Sequence, residues 1–132
     1  MEIMDYQLKD CPTECKKISD ISISYGTSGF RYDAKYLPPI VYRVGILASL
    51  HSKYLNAAVG VMITASHNPE KDNGVKIIDS NGHMLCQEWE KYATDICKLG
   101  HEQLLSFIDK FSKDMNINIL GPATVYIGQD SR

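Results

Sequence analysis

Ser66, His67 and Asn68 stand in one short run, Lys76 follows a little downstream, and Arg31 lies upstream in a glycine-bracketed segment. A serine hydroxyl is a weak nucleophile that needs a base, a metal or prior activation. An imidazole and an ammonium nearby are candidates for proton handling and for contact with phosphate. A lysine acting as a base must shed its proton near neutral pH, which takes desolvation or neighbouring positive charge. The planar donor fork of Arg31 suits bidentate binding of a phosphate. Taken singly, each residue also has a plainer reading. Ser-His-Asn-Pro is good turn chemistry, His67 fits an ordinary loop, and Arg31 fits a surface ion pair.

The elements that must position these groups follow from local pattern. Val59 to Thr64 is a short apolar run rich in β-branched residues and reads as a buried strand. Pro69 stops any helix in the loop that follows. Asn73-Gly74 offers a second turn, and Val75 to Ile78 resumes a strand with Lys76 between apolar neighbours. The reactive groups are thus expected at the exit of a buried strand, where ligands sit in open α/β sheets. Gly26 to Gly29 forms a loop with two hydroxyl residues inside it, and such loops let amides approach an anion.

Pro38-Pro39 marks a helix start, and Ile40, Val41, Val44, Leu47 and Ala48 continue it at three- and four-residue spacing to about Leu55. Gly45 inside this helix is expected to mark a close approach to a neighbouring strand. Ile18, Ile21 and Ile23 suggest a first short strand, within an N-terminal extension spanning residues 1–23. Val75 to Ile78 and His83 to Leu85, flanking Asn81-Gly82, read as a hairpin. Trp89, Tyr92, Ala93, Ile96 and Cys97 share a helical face that would close at Gly100 as C-cap. Leu104, Ile108, Phe111 and Met115 form a second stripe, and Thr124 to Ile127 a last strand. Alternating helices and strands indicate an α/β domain.

With 132 residues the chain has the length of one domain. Its 44% hydrophobic and 23% charged residues are ordinary globular values. A net charge of −2 gives no argument for nucleic acid or an anionic membrane as partner, and no apolar run approaches a bilayer span. Cys11 and Cys15 have loose zinc-like spacing, but no matching Cys or His pair follows at a finger distance, so they, Cys86 and Cys97 read as thiols in a reducing, cytoplasmic setting.

Thr64-Ala65-Ser66-His67-Asn68-Pro69 with Asp72-Asn73-Gly74-Val75-Lys76, together with Tyr25-Gly26-Thr27-Ser28-Gly29-Phe30-Arg31, resembles the phosphoserine loop and first loop of the α-D-phosphohexomutase superfamily. The Pro69 to Lys76 spelling is most similar to the eukaryotic phosphoacetylglucosamine mutases. Gly128-Gln129-Asp130-Ser131-Arg132 resembles the Gly-Arg-Asp turn of that superfamily, with Gln129 where arginine is common. The resemblance implies a three-layer α/β/α first domain with a mixed sheet over residues 24–132. It also implies that Ser66 carries a phosphoryl group, that Lys76 is the acid/base, and that His67, Arg31 and Asn68 contact phosphate. The implied reaction interconverts N-acetylglucosamine 6-phosphate and 1-phosphate, for UDP-N-acetylglucosamine synthesis.

Mg²⁺, held in part by the phosphate on Ser66, and a hexose 1,6-bisphosphate activator come with that resemblance. So does a phosphosugar as the partner molecule. The family takes its other metal ligands from an Asp-x-Asp-x-Asp cluster in a second domain, and no Asp-x-Asp occurs in this sequence. The chain therefore reads as truncated, lacking downstream domains and inactive alone. Asp130 and Arg132 read as structural or interdomain residues. Two other readings stay open: a non-catalytic phosphate-binding module, and a phosphoglucosamine mutase or phosphoglucomutase.

Overall fold

The computed structural model describes residues 8–65 and 67–130. A four-residue helix, α1 (Thr13–Lys16), precedes β1 (Phe30–Asp33), a 3₁₀ turn (Ala34–Tyr36) and the long helix α2 (Leu37–Leu55). Then come β2 (Val59–Ile63), β3 (Asp72–Ile78), α3 (Gln87–Ile96), α4 (His101–Asp114) and β4 (Val125–Gln129). The sheet order is β1-β3-β2-β4. β3 runs antiparallel to both neighbours, and β2 runs parallel to β4. The sheet is mixed, as expected.

Helix α2 starts where proline is tolerated, with Pro38 and Pro39 in its first turn. It ends at Asn56, whose φ of 53° is the left-handed conformation that asparagine adopts more readily than most residues. Its apolar stripe packs on β2 and β3. Ile40, Val44 and Leu47 share one core with Phe30, Val61 and Val75 from the sheet. On the outer side of α2, Trp89 of α3 lies edge-on to Phe111 of α4 and 4.1 Å from the His51 ring. Described residues therefore build a sheet and a helical layer against one of its faces.

Alternation along the strands sorts the two faces. Val61, Ile77 and Val75 point to the helices and are buried. Met62 and Tyr126 occupy the opposite face and are 37% and 70% exposed. Arg31, Gly74, Lys76 and Met62 belong to this second face, because Arg31 pairs with Gly74 and Lys76 with Met62.

Several expectations need correction. Ile18, Ile21 and Ile23 form no strand; the first strand is Phe30–Asp33. The Ile77 N–H donates to the Tyr25 phenolic oxygen at 2.9 Å, so a side chain takes the place a backbone partner would fill. β3 begins at Asp72, and Asn73-Gly74 is strand rather than turn. The expected hairpin reduces to one bridge between Ile78 and Met84 around a turn with Gly82 at φ +83°. Gly100 is the N-cap of α4, while α3 closes at Cys97. A Cβ on Gly45 would meet nothing within 4 Å, so no strand approaches it.

Arg43, inside α2, is a charged side chain that is fully buried. Its guanidinium donates to the carbonyls of Pro39, Cys15, Lys16 and Leu99 at 2.7 to 3.1 Å. Helix α1 and the α3–α4 turn are thereby tied to one side chain. All four cysteines are free thiols. No helix among the described residues is long and apolar enough to cross a membrane.

Candidate active site

The site is built at one end of the sheet, where β2 leaves and β3 returns. The Thr64 N–H donates to the Gly74 carbonyl at 3.0 Å, which closes the strand pair at the loop's base. Two turns follow in succession. One is closed by the Asn68 N–H on the Ala65 carbonyl at 3.0 Å, the other by the Asp72 N–H on the Pro69 carbonyl at 2.9 Å. The Ala34 N–H then holds the Lys71 carbonyl at 2.8 Å, tying the loop to the segment after β1.

Two glycines bring the neighbouring segments together. Gly74 sits in extended strand, and a Cβ there would meet the Phe30 carbonyl at 2.5 Å and the Thr64 carbonyl at 2.8 Å. Gly29, at φ +78°, would push a Cβ against the Val75 carbonyl and to 2.7 Å from the Lys76 Cβ. Gly26 and Gly29 exchange backbone hydrogen bonds at 3.2 and 2.9 Å, so the first loop is a tight turn pressed onto β3.

Of the expected site residues, Ser66 lies outside the described residues. His67 is exposed and Asn68 half-buried on the loop. Asn68 makes a long 3.5 Å contact to an Asp72 carboxylate oxygen. Lys76 is half-buried in the middle of β3, and Arg31 is half-buried opposite Gly74. Arg31 Nε is buried without a hydrogen-bond partner among the described residues. A buried guanidinium N–H without an acceptor is costly, and a ligand oxygen would relieve it. Two cationic side chains thus share the sheet face next to the loop that carries Ser66. Burial pushes the nearby Tyr25 phenol up to about 12, against the lowering effect of the Ile77 N–H, so it stays neutral.

Residues after β4 contribute a contact that pattern reading missed. The Thr64 hydroxyl donates to Asp130 Oδ2 at 2.6 Å, across the parallel β2–β4 pair. Ser131 and Arg132 lie outside the described residues. No group of three or more His, Cys, Asp or Glu side chains among the described residues could hold a metal ion. The only expected ligand position in this chain is the phosphate of Ser66.

Comparison with known proteins agrees with this geometry. The family model described as phosphoglucomutase/phosphomannomutase, alpha/beta/alpha domain I, matches residues 41–103. A solved N-acetylglucosamine-phosphate mutase in its substrate complex superposes with a TM-score of 0.89 at 44% identity, over 99% of this chain and 24% of that one. The chain belongs to the α-D-phosphohexomutase superfamily.

Within that superfamily, the phosphoacetylglucosamine mutase of Candida albicans is 45% identical over 88% of this chain and 23% of its own length. That of Arabidopsis thaliana is 50% identical over 85% and 21%. The Aspergillus fumigatus N-acetylphosphoglucosamine mutase in complex with GlcNAc-6P and magnesium gives a TM-score of 0.83 at 40% identity, over 97% of this chain and 23% of that one. A serine-to-alanine variant of the Aspergillus enzyme has been solved with glucose 1,6-bisphosphate (TM-score 0.87, 39% identity, 94% and 23% covered). The chain therefore spans about a quarter or less of the phosphohexomutases it matches.

Proposed function

We propose that residues 24–132 are the phosphoserine-bearing first domain of a phosphohexomutase that interconverts N-acetylglucosamine 6-phosphate and N-acetylglucosamine 1-phosphate. Ser66 carries the phosphoryl group. A sugar hydroxyl attacks its phosphorus, the serine Oγ–P bond breaks as the new O–P bond forms, and Lys76 receives the hydroxyl proton. The bisphosphorylated sugar then turns end for end and returns its other phosphoryl group to Ser66. Arg31 and Asn68 hold phosphate oxygens, with His67 at the loop's exposed tip. A hexose 1,6-bisphosphate loads Ser66 at the outset.

The observation that carries this reading is the buried Arg31 Nε, without a hydrogen-bond partner among the described residues, on the same sheet face as Lys76 and beside the Ser66 loop. Phosphoryl transfer demands in-line placement and neutralisation of oxygen charge more than covalent chemistry from the protein. Bound Mg²⁺ would add positive charge at the Ser66 phosphate, its remaining ligands coming from another domain. The product would feed UDP-N-acetylglucosamine synthesis, and a cytoplasmic setting fits four free thiols.

A chimaera tests the proposal: this chain replaces the matching segment of the Candida albicans relative. Mutase activity with Mg²⁺ and glucose 1,6-bisphosphate is then measured on acetylated and free amino-sugar phosphates. Activity on N-acetylglucosamine 6-phosphate, with a Ser66→Ala loss on the order of a thousandfold or more, is the expected result. A Ser66→Ala form as active as its parent would end the phosphoserine reading. An inactive chimaera whose isolated chain still binds a sugar phosphate would favour a non-catalytic phosphate-binding module.

A further inference from the structure

We propose that Asp130 is a positioning residue for the Ser66 loop, acting through Thr64. The inference rests on the phosphoserine reading above and adds to it a residue on a different strand. β2 and β4 pair in parallel up to Ile63 and Gln129, so Thr64 and Asp130 are the next rung, just beyond the ladder. There the backbone ladder weakens to a 3.4 Å contact from the Asp130 N–H to the Ile63 carbonyl. The side chains take over. The Thr64 hydroxyl donates to the Asp130 carboxylate at 2.6 Å, the short length of a charge-assisted bond.

The opposite flank of Thr64 is fixed by the backbone. Its N–H reaches the Gly74 carbonyl at 3.0 Å, and its own carbonyl lies 2.8 Å from where a Gly74 Cβ would be. Thr64 is therefore held from β3 by its main chain and from β4 by its side chain. Only Ala65, fully buried, separates it from Ser66. A strand exit clamped on both sides can be displaced only by tilting as a whole. Removing the β4 side lets it swing toward β3, and displacements of about 1 Å at a reacting group can change rates on the order of a hundredfold.

The arrangement makes a specific demand on residue type. Asparagine at 130 keeps the shape and can still accept from Thr64, but without the charge. Valine at 64 removes the donor with little change in volume, and serine retains it. A merely structural role would show as lost stability without a selective fall in turnover.

The test uses the chimaera described above, with Asp130→Asn, Thr64→Val, Thr64→Ser and the Thr64→Val/Asp130→Asn pair. The expected result is a ten- to hundredfold fall in kcat for Asp130→Asn and Thr64→Val, with KM for the sugar phosphate within about twofold. Thr64→Ser should stay within about threefold of the parent, and the double variant should be no slower than the slower single one. Undiminished kcat in Asp130→Asn, or multiplicative losses in the double variant, would overturn the proposal.

A second readout separates this from the phosphoserine reading. In the 132-residue chain, amide hydrogen exchange at Asn68 and Asp72 should speed up in Asp130→Asn and stay at the parental rate in Thr64→Ser. If Ser66→Ala leaves the chimaera active, the phosphoserine reading fails, while altered exchange would still establish the tether. Unaltered exchange would remove the tether whatever Ser66 does.

Discussion

The Cβ that Gly29 lacks would sit 2.7 Å from the Cβ of Lys76. The first glycine loop therefore acts as a template against which the root of the lysine side chain is pressed, and no larger residue fits between them.

Gly29→Ala meets two obstacles, a φ of +78° and an overlap with the Val75 carbonyl and Lys76. Gly82, at φ +83° with open space around its Cβ position, meets only the first. Gly82→Ala should lower stability by about 1 kcal/mol, the ordinary strain of a left-handed residue. Gly29→Ala should lower it by about 3 kcal/mol, strain and overpacking together. Urea unfolding of both variants checks this, and equal losses would mean the Lys76 contact is slack.

Arg43 is fully buried, and four carbonyls from three separate segments accept its N–H groups. Arg43→Ala leaves those acceptors without donors and a cavity in their midst. A loss of about 3 kcal/mol or more follows. Arg43→Lys should recover little, because one compact ammonium cannot reproduce a planar fork directed at several carbonyls. Thermal unfolding of the two variants gives the comparison; near-complete rescue by lysine would show that charge alone suffices.

His51 is 2% exposed, with Nε2 3.3 Å from Asp79 Oδ2. Burial holds its imidazole below the usual 6.5, and Asp79 partly offsets that. The folded state thus binds a proton less readily than the unfolded chain. Stability should be level above about pH 7 and fall as the pH drops below about 6.5, until the folded-state value is passed. Asp79→Asn removes the offset and should deepen the fall, whereas His51→Phe should flatten it. Urea midpoints at about pH 7.5 and about pH 5.5 decide the matter.

β4 ends the sheet, and Tyr126, Ile127 and Leu120 are 70%, 69% and 76% exposed. An edge strand with apolar side chains on both faces is a template for pairing. The isolated 132-residue chain should self-associate at concentrations on the order of tens of micromolar. Tyr126→Lys together with Ile127→Lys should return it to monomer in sedimentation experiments. Unchanged association would place the contact elsewhere.

Much of this architecture was legible because periodicity reports burial. The stripe from Ile40 to Ala48 and the apolar run at Val59 to Thr64 name α2 and β2 almost to the residue. What stayed hidden depended on contacts between distant segments. Asn73-Gly74 is turn chemistry in isolation, yet here the Phe30 and Thr64 carbonyls crowd in and demand a residue without a side chain. Ile18 to Ile23 has strand-like composition, but a phenol from Tyr25 takes the β3 donor a strand would have used. Arg31 and Lys76 stand out as candidates for phosphate contact only through their motifs. That they share a face depends on a register no local pattern discloses. The Thr64–Asp130 bond joins residues 66 positions apart; Asp130 reads as structural or interdomain from its motif, but nothing local names Thr64 as its partner.

Arg31, Thr64, Lys76 and Asp130 come from four different stretches of backbone, yet all lie on one side of the pleat, while Phe30, Val61, Val75 and Ile77 lie on the other. Shifting any strand by a single position would turn apolar side chains to the polar face and cations into the core. The aversion of the apolar side for water is thus also what aims the polar side at its target. A one-residue insertion anywhere in β2 or β3 ought to extinguish folding and phosphate recognition at a stroke, with no variant retaining either one.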